Sequence, residues 1–309
     1  MDETVADLTS CAIVVVNYGS HVLVDENIAA VSLASPEATV VVVDNFTDDA
    51  ERDAVLTMCD RRGWIPVPLD TNTGFGDGVN AGVAEALARG LTTIVVINPD
   101  ATIARPDLER LVSAVASDDL LMVAPVILRS SGQHWFSGAT VSLRDGTMSS
   151  RRRQPFAAPG AHHDWLTGAC FVMSARLWAA VGGFDSDYFL YWEDVDLSVR
   201  VVEAGGHLLV DDRSVAVHDA GGTHTETLRG RAKSETYYYY NIRNRLVFAA
   251  KHITDDALAG WLASTLRVSY EILLQGGRRQ FLRPVVPLRA LIRGIRDGRR
   301  FVRETRGAG

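Results

Sequence analysis

The first 125 residues alternate between short runs of β-branched apolar residues and longer stretches with apolar positions at helical spacing. Residues 12–16 (AIVVV), 39–43 (TVVVV) and 93–97 (TIVVI) are continuous apolar runs, the pattern of strands covered on both faces. Shorter runs at 65–69 and 121–124 read as further strands. Between them, residues 25–34, 47–62, 79–89 and 106–116 read as helices. Thr47 is the expected cap of the second, whose Asp48, Asp49 and Glu51 suit a positive N-terminal end, and Gly90 is the expected stop of the third. This order predicts an α/β fold around a mostly parallel sheet.

Beyond residue 125 the pattern changes. Residues 126–164 hold shorter elements and a loop around Arg151, Arg152, Arg153, Pro155 and Pro159. A strand (169–174), two helices (175–181 and 194–204) and two short strands (208–211 and 215–218) follow, and from Lys233 the pattern is helical to the end. The economical division is a catalytic domain over 1–232 and a helical extension over 233–309. Within the first, the pattern divides into two halves, about 11–125 and about 126–232.

In open α/β sheets, ligands bind beyond the carboxyl ends of the strands. Three strong strands end in polar residues: Asn17-Tyr18, Asp44-Asn45 and Asn98-Pro99-Asp100. Any one of these reads equally well as a turn. Three at the same end of one sheet outline a crevice. The stretch from Asn72 to Gly82 (NTGFGDGVNAG) lets backbone approach a ligand and then opens a helix, whose N-terminus favours phosphate. A GxGxxG dinucleotide fingerprint fails, because Val79 stands where its last glycine is required. Asp100 is a candidate ligand for Mg²⁺ or Mn²⁺, and His218 at a strand end is a candidate imidazole ligand. Glu193, Asp194 and Asp196 follow an aromatic run, Tyr188 to Trp192. They suit either a solvated helix start or a partly buried general base.

Composition narrows this further. A chain of 309 residues with 47% apolar and 22% charged residues has ample core for a folded protein. Cys11, Cys59 and Cys170 lack CxxC spacing, so buried reduced thiols are expected rather than disulfides or a zinc cluster. The acidic N-terminus lacks the apolar segment of a secretory signal, and Arg267 and Glu271 break the most apolar long stretch, 257–274. A cytoplasmic location is expected. Net charge is −7, but residues 267–309 carry +8 and the first 266 carry −15. A body of that sign is a poor nucleic-acid binder.

The ordered set NYG, VVDN, NTGFGDGVNAG, INPD, WLTGACFVMSA, GGFD, YFLYWEDVDLSVR and VAVH resembles the family 2 glycosyltransferases, over about residues 11–250. Within that family it is most similar to bacterial rhamnosyltransferases of cell-wall and surface polysaccharide synthesis. The resemblance implies a GT-A fold and inverting transfer from a nucleotide-sugar. It implies Asn17, Tyr18, Asp44 and Asn45 at the nucleotide, and Asn72, Gly74, Phe75, Gly76 and Asn80 along the nucleotide-sugar. Asn98 and Asp100 stand where the family's DxD metal motif ends, here with one carboxylate. Trp165, Thr167, Gly168 and Ala169 would flank donor sugar and acceptor, as would Trp192. Asp194, preceded by Glu193, matches the catalytic base. His218, in a VHxxGG segment, would close over the diphosphate. Tyr240, Arg243 and Asn244 resemble the YxxRN of non-processive members, with Arg243 either at the diphosphate or packing a helix. The implied donor is dTDP-rhamnose, with UDP-sugars next, and the acceptor a saccharide or lipid-linked glycan.

Residues 281–302 interleave Arg with aliphatic residues at three- and four-residue steps, which suits a helix lying peripherally on the anionic inner face of the cell membrane. The alternative is a helix packed on the body or on a second copy in a homodimer. Two competing functions also stand: a non-catalytic nucleotide-sugar-binding protein of the same fold, and a dinucleotide oxidoreductase.

Overall fold

The computed structural model describes residues 7–150, 160–218, 233–282 and 284–307. The loop at Arg151–Arg153, Pro155 and Pro159, and Gly221 and Gly222 after His218, lie outside the described residues.

Four parallel strands open the sheet, in the order β3 (Ile65–Pro68), β2 (Thr39–Asp44), β1 (Cys11–Asn17) and β4 (Thr93–Ile97). The sheet continues through β11 (Cys170–Ser174), β6 (Leu121–Leu128), β12 (His207–His218) and β5 (Ala101–Ile103), with β7 (His134–Phe136) paired to β6. β11 runs antiparallel to both β4 and β6. β6 and β12 therefore point the same way as the first four, and the sheet is mostly parallel. A smaller antiparallel sheet joins β10 (His162–Trp165), β8 (Ala139–Ser142) and β9 (Met148–Ser150).

The strand polarity decides what meets at one edge. The carboxyl ends of β1, β2, β4 and β12 carry Asn17, Asp44, Asn98 and His218. The reversed β11 brings its amino end, and Gly168–Ala169 before it, to that edge, where Ala169 O accepts from Asn98 N at 2.9 Å.

Helices cover both faces. A first helical segment runs as α1 (His21–Leu23), a π turn (Val24–Ile28) and α2 (Ala29–Ala34). α3 (Asp49–Arg62), α4 (Phe75–Ala88), α5 (Arg105–Ser117), α6 (Ala175–Val181) and α7 (Glu193–Glu203) follow. Alternate strand residues feed two cores, Ile13, Val15, Val40 and Val42 with Ile28, Val55 and Leu108, and Val14, Val16, Val41 and Val43 with Val79 and Val83. Cys11, Cys59 and Cys170 are buried and unbridged, and burial pushes each thiol pKa up to about 12.

Three sequence expectations are corrected. The cap of α3 is Asp48, whose carboxylate accepts from Glu51 N at 2.9 Å, rather than Thr47. α4 begins at Phe75, so Gly76, Gly78 and Gly82 lie inside a helix. A Cβ at Gly78 or Gly82 would press on Val16 or on Val14 and Val43, so these two glycines serve close helix–sheet packing. The two short strands at 208–218 are one strand, β12, with a register shift between Asp211 and Val215.

The C-terminal region is helical: α8 (Glu235–His252), α9 (Asp255–Ala263), α10 (Thr265–Leu274), a 3₁₀ turn (Arg278–Leu282) and α11 (Val285–Arg306). Trp192, Val195 and Val199 pack with Leu246, Phe248 and Trp261, so α7 and its approach rest on α8 and α9. α11 lies on α8, with Gly294 against Ile242 and Gly298 against Leu246. The tail thus packs its small-residue face on the body, and Arg289 pairs with Glu235 and Arg306 with Asp255. None of the helices among the described residues is long and apolar enough to cross a membrane.

Candidate active site

The glycine turn at Thr73–Gly74 is held by asparagines. Asn45 Nδ2 donates to Gly74 O at 2.9 Å, and its Oδ1 accepts from Thr73 N at 2.8 Å. Asn72 Oδ1 accepts from Gly74 N at 2.9 Å. Gly74 has φ +89°, and a Cβ there would overlap the carbonyl of Phe189. Phe75 N donates to that same carbonyl at 3.0 Å, and the Phe75 ring lies edge-on to Phe184. Gly76 packs on Phe184 as well. Asn80 holds the backbone of Phe184 through both its amide atoms, at 2.8 Å each.

At the strand ends, Asp44 is buried and accepts from Arg52 Nε at 2.8 Å, with its other carboxylate oxygen unpartnered among the described residues. Asn17 is buried and spent locally, donating to Glu51 Oε1 at 2.9 Å and accepting from Ser20 N at 3.1 Å. Tyr18 beside it is exposed. Glu51, read in the sequence only as a helix-start acid, and Arg52, not singled out there, hold these two groups from inside a helix with no motif around them.

Asp100 Oδ1 lies 3.0 Å from His218 Nε2, and Asn98 Nδ2 lies 3.3 Å from the same nitrogen. The Trp135 ring covers the His218 ring at 4.6 Å. Among the described residues there is no cluster of three or more His, Cys, Asp or Glu suited to a metal. His218 Nδ1 is buried without a partner among the described residues. One carboxylate and one imidazole, adjacent and almost wholly buried, fit an ion that takes the rest of its shell from phosphate oxygens and water.

The carboxylate pair opens α7. Asp194 Oδ2 accepts from Gly168 N at 3.2 Å and Oδ1 from Val195 N at 2.9 Å. Burial pushes its pKa up to about 6. Glu193 is buried, with Oε2 unpartnered among the described residues; burial first, then the neighbouring Asp194 charge, push its pKa well above the carboxylate range. Asp196 is engaged elsewhere, with Arg200 and His252, each at 2.7 Å. Thr167 Oγ1 accepts from Ala169 N at 3.3 Å, and Gly168 touches the Phe75 ring, so the 165–169 turn bridges the Gly74–Phe75 turn and Asp194.

The approach to the pair is held by α8. Tyr191 (φ +65°) and Trp192 (φ +76°) are left-handed without being glycine, a conformation that costs about 1–3 kcal/mol per residue. Asn244 Nδ2 donates to Leu190 O at 3.0 Å and Tyr191 O at 2.8 Å. Arg243 Nη1 donates to Asp187 O at 2.8 Å, and the Tyr240 ring stacks on Phe189 at 5.2 Å. Trp192 is buried against Phe248. The structure therefore brings Asn45, Asn72, Gly74, Phe75, Gly168, Ala169 and Asp194 together, with Asn98, Asp100 and His218 alongside. It turns Asn17, Asn80, Trp192 and Arg243 toward structural partners. Phe189 and Asn244 were missed as parts of the base support, although Asn244 was visible in the YxxRN pattern.

Residues 9–241 match the family described as "Glycosyltransferase like family 2", and the chain belongs to that family. It is 26% identical over 251 residues to the low-salt glycan biosynthesis hexosyltransferase Agl10 of Haloferax volcanii, covering 78% of this chain and 75% of that one. It is 24% identical over 284 residues to the N-acetylglucosaminyl-diphospho-decaprenol L-rhamnosyltransferase of Mycobacterium tuberculosis, covering 82% and 87%. In fold it is similar to the mannosyltransferase PcManGT of Pyrobaculum calidifontis in complex with GDP-Man and Mn2+ (TM-score 0.55, 15% identity, 96% of this chain and 89% of that one). It is also similar to GalNAc-T7 with UDP, GalNAc and Mn2+ (TM-score 0.58, 14% identity, 91% of this chain), of which it spans 57%.

Proposed function

We propose that the protein is an inverting glycosyltransferase that moves a sugar, rhamnose from dTDP-rhamnose in the first instance, to a saccharide or lipid-linked glycan acceptor. The observation that carries this is the Asp194 carboxylate, oriented by Gly168 N–H at 3.2 Å and raised in basicity by burial. A sugar hydroxyl is a poor nucleophile. Asp194 takes its proton as the oxygen attacks the anomeric carbon from the face opposite the diphosphate. The bond from that carbon to the phosphate oxygen breaks, and the nucleoside diphosphate leaves with the electron pair. General-base help of this kind is worth about 10²–10⁴-fold. Burial and the neighbouring Asp194 charge disfavour ionisation of Glu193, which suits one base at the pair rather than two.

Asp100 and His218 would hold Mg²⁺ or Mn²⁺, which when bound offsets the charge growing on the diphosphate. Asp44, with one free oxygen, and the Gly74 turn would receive base, ribose and phosphates. The domain division at about residue 232 belongs to this proposal, with 233–309 supporting the base from behind.

The proposal extends to location at the inner face of the cell membrane. With α11 packed on α8, its outward face carries exposed Val285, Leu288 and Ile292 beside Arg289, Arg293 and Arg296. This face suits an anionic lipid surface and disfavours self-pairing, which would set Arg against Arg. A Val285→Ser/Leu288→Ser/Ile292→Ser variant should lose flotation with anionic vesicles; unchanged flotation removes the membrane part.

The catalytic part is tested by a thermal-shift panel of nucleoside diphosphates and nucleotide-sugars with Mg²⁺ or Mn²⁺, because a ligand of the native state raises the melting temperature. A metal-dependent shift with dTDP or UDP compounds, and turnover lost in Asp194→Asn, is the expected result. Binding without turnover in the wild-type protein across acceptors would favour a non-catalytic nucleotide-sugar binder.

A further inference from the structure

A pocket of about 220 Å³ is lined by Trp135, Phe136 and Trp165 with Ser137, Ser149 and Ser150. Its lining among the described residues is without charge, which suits a neutral ligand. It is smaller than the roughly 300–1,000 Å³ typical of drug-sized ligands, which limits it to about one ring. Phe136 and Trp165 approach at 5.3 Å, and Trp135 at 6.1 Å from Phe136 completes the aromatic wall.

Its position ties it to both ends of the site. Trp135 covers His218, which meets Asp100. Trp165 stands two residues before Thr167 and three before Gly168, whose N–H holds Asp194. Every lining residue comes from 135–165; the donor-side strands β1, β2 and β4 and the Gly74 turn contribute none. The Trp165 indole N–H has no partner among the described residues.

We infer that this pocket seats one neutral pyranose ring of the acceptor, an inference that rests on the glycosyl-transfer reading. A pyranose presents a face of C–H groups that packs on the negative faces of aromatic rings, while its hydroxyls reach polar groups such as the serines at the lining. The residues around Asp194 then receive the hydroxyl that reacts, and Trp135 and Phe136 become specificity-determining residues.

The experiment is saturation-transfer NMR on the full chain with methyl α-rhamnoside, methyl β-N-acetylglucosaminide and methyl α-mannoside. It compares the wild type with Trp135→Ala and with Ser150→Trp, which fills the pocket from an exposed position. Nucleoside diphosphate binding by thermal shift is measured in parallel. The expected result is transfer to ring C–H protons of at least one glycoside, weakened about tenfold in both variants with the nucleotide shift kept. Absence of saccharide transfer in the wild type, or transfer that persists in Ser150→Trp, overturns the inference. Transfer to farnesol that Ser150→Trp abolishes, without any glycoside signal, makes the pocket a prenyl-chain site and also overturns it. A glycoside signal without any nucleotide shift in the wild type leaves the pocket standing and sinks the donor reading instead.

Discussion

The backbone N–H of Gly168 donates to Asp194 Oδ2 at 3.2 Å, and this bond aims the carboxylate from the turn that follows β10. Replacing Asp194 by Asn keeps the shape and removes the base. Turnover should fall by about 10²–10⁴-fold. Nucleotide binding, read by calorimetry, should stay within about threefold, a change below 1 kcal/mol.

The raised pKa of Asp194, to about 6, sets a pH dependence. The base must be ionised, so kcat/KM should fall as pH drops through about 6. Stability runs the other way. A carboxyl whose folded pKa lies above its unfolded value favours the protonated fold. Its contribution is therefore greatest below the unfolded value and is lost as pH rises through about 6. Melting curves at pH 7.5 and 5.5 should show Asp194→Asn gaining on the wild type at the higher pH.

Asn244 braces the two left-handed residues before the base. Asn244→Ala leaves the carbonyls of Leu190 and Tyr191 unsatisfied, at about 1–3 kcal/mol for such a buried group. The carboxylate would shift, and kcat should drop roughly 10- to 100-fold. Asn244→Asp, which keeps size and loses the donor, should behave like Ala, while donor KM changes little in both.

Gly74→Ala forces a side chain into positive φ and onto Phe189 O. The expected cost is about 1–3 kcal/mol in urea unfolding. Nucleotide affinity should weaken with it, because the turn must open.

Gly298→Leu would wedge α11 away from Leu246 and the Arg243 carbonyl on α8. Overpacking of this kind costs about 1–3 kcal/mol. Limited proteolysis should then cut within 285–306 sooner than in the wild type.

Strand runs such as AIVVV and TVVVV determined the α/β class by themselves, because a continuous β-branched run has few other stable homes. The polar strand ends, the glycine turn and the Glu193–Asp194 pair were also legible, since each is a local chemical pattern. Gly78 and Gly82 looked like ligand-approach positions; only the packing of α4 on Val14, Val16 and Val43 revealed them as helix–sheet contacts. Asn17 and Asn80 looked like ligand groups until their partners, Glu51 and Phe184, were in place. The tertiary structure alone decided that β11 runs backwards and so delivers Gly168 to Asp194, and that Asn244 on a distant helix holds the backbone at Leu190 and Tyr191. Strand direction and the alignment of a helix with a turn some fifty residues away (54 between Asn244 and Leu190) depend on long-range closure, which no local pattern of side chains encodes.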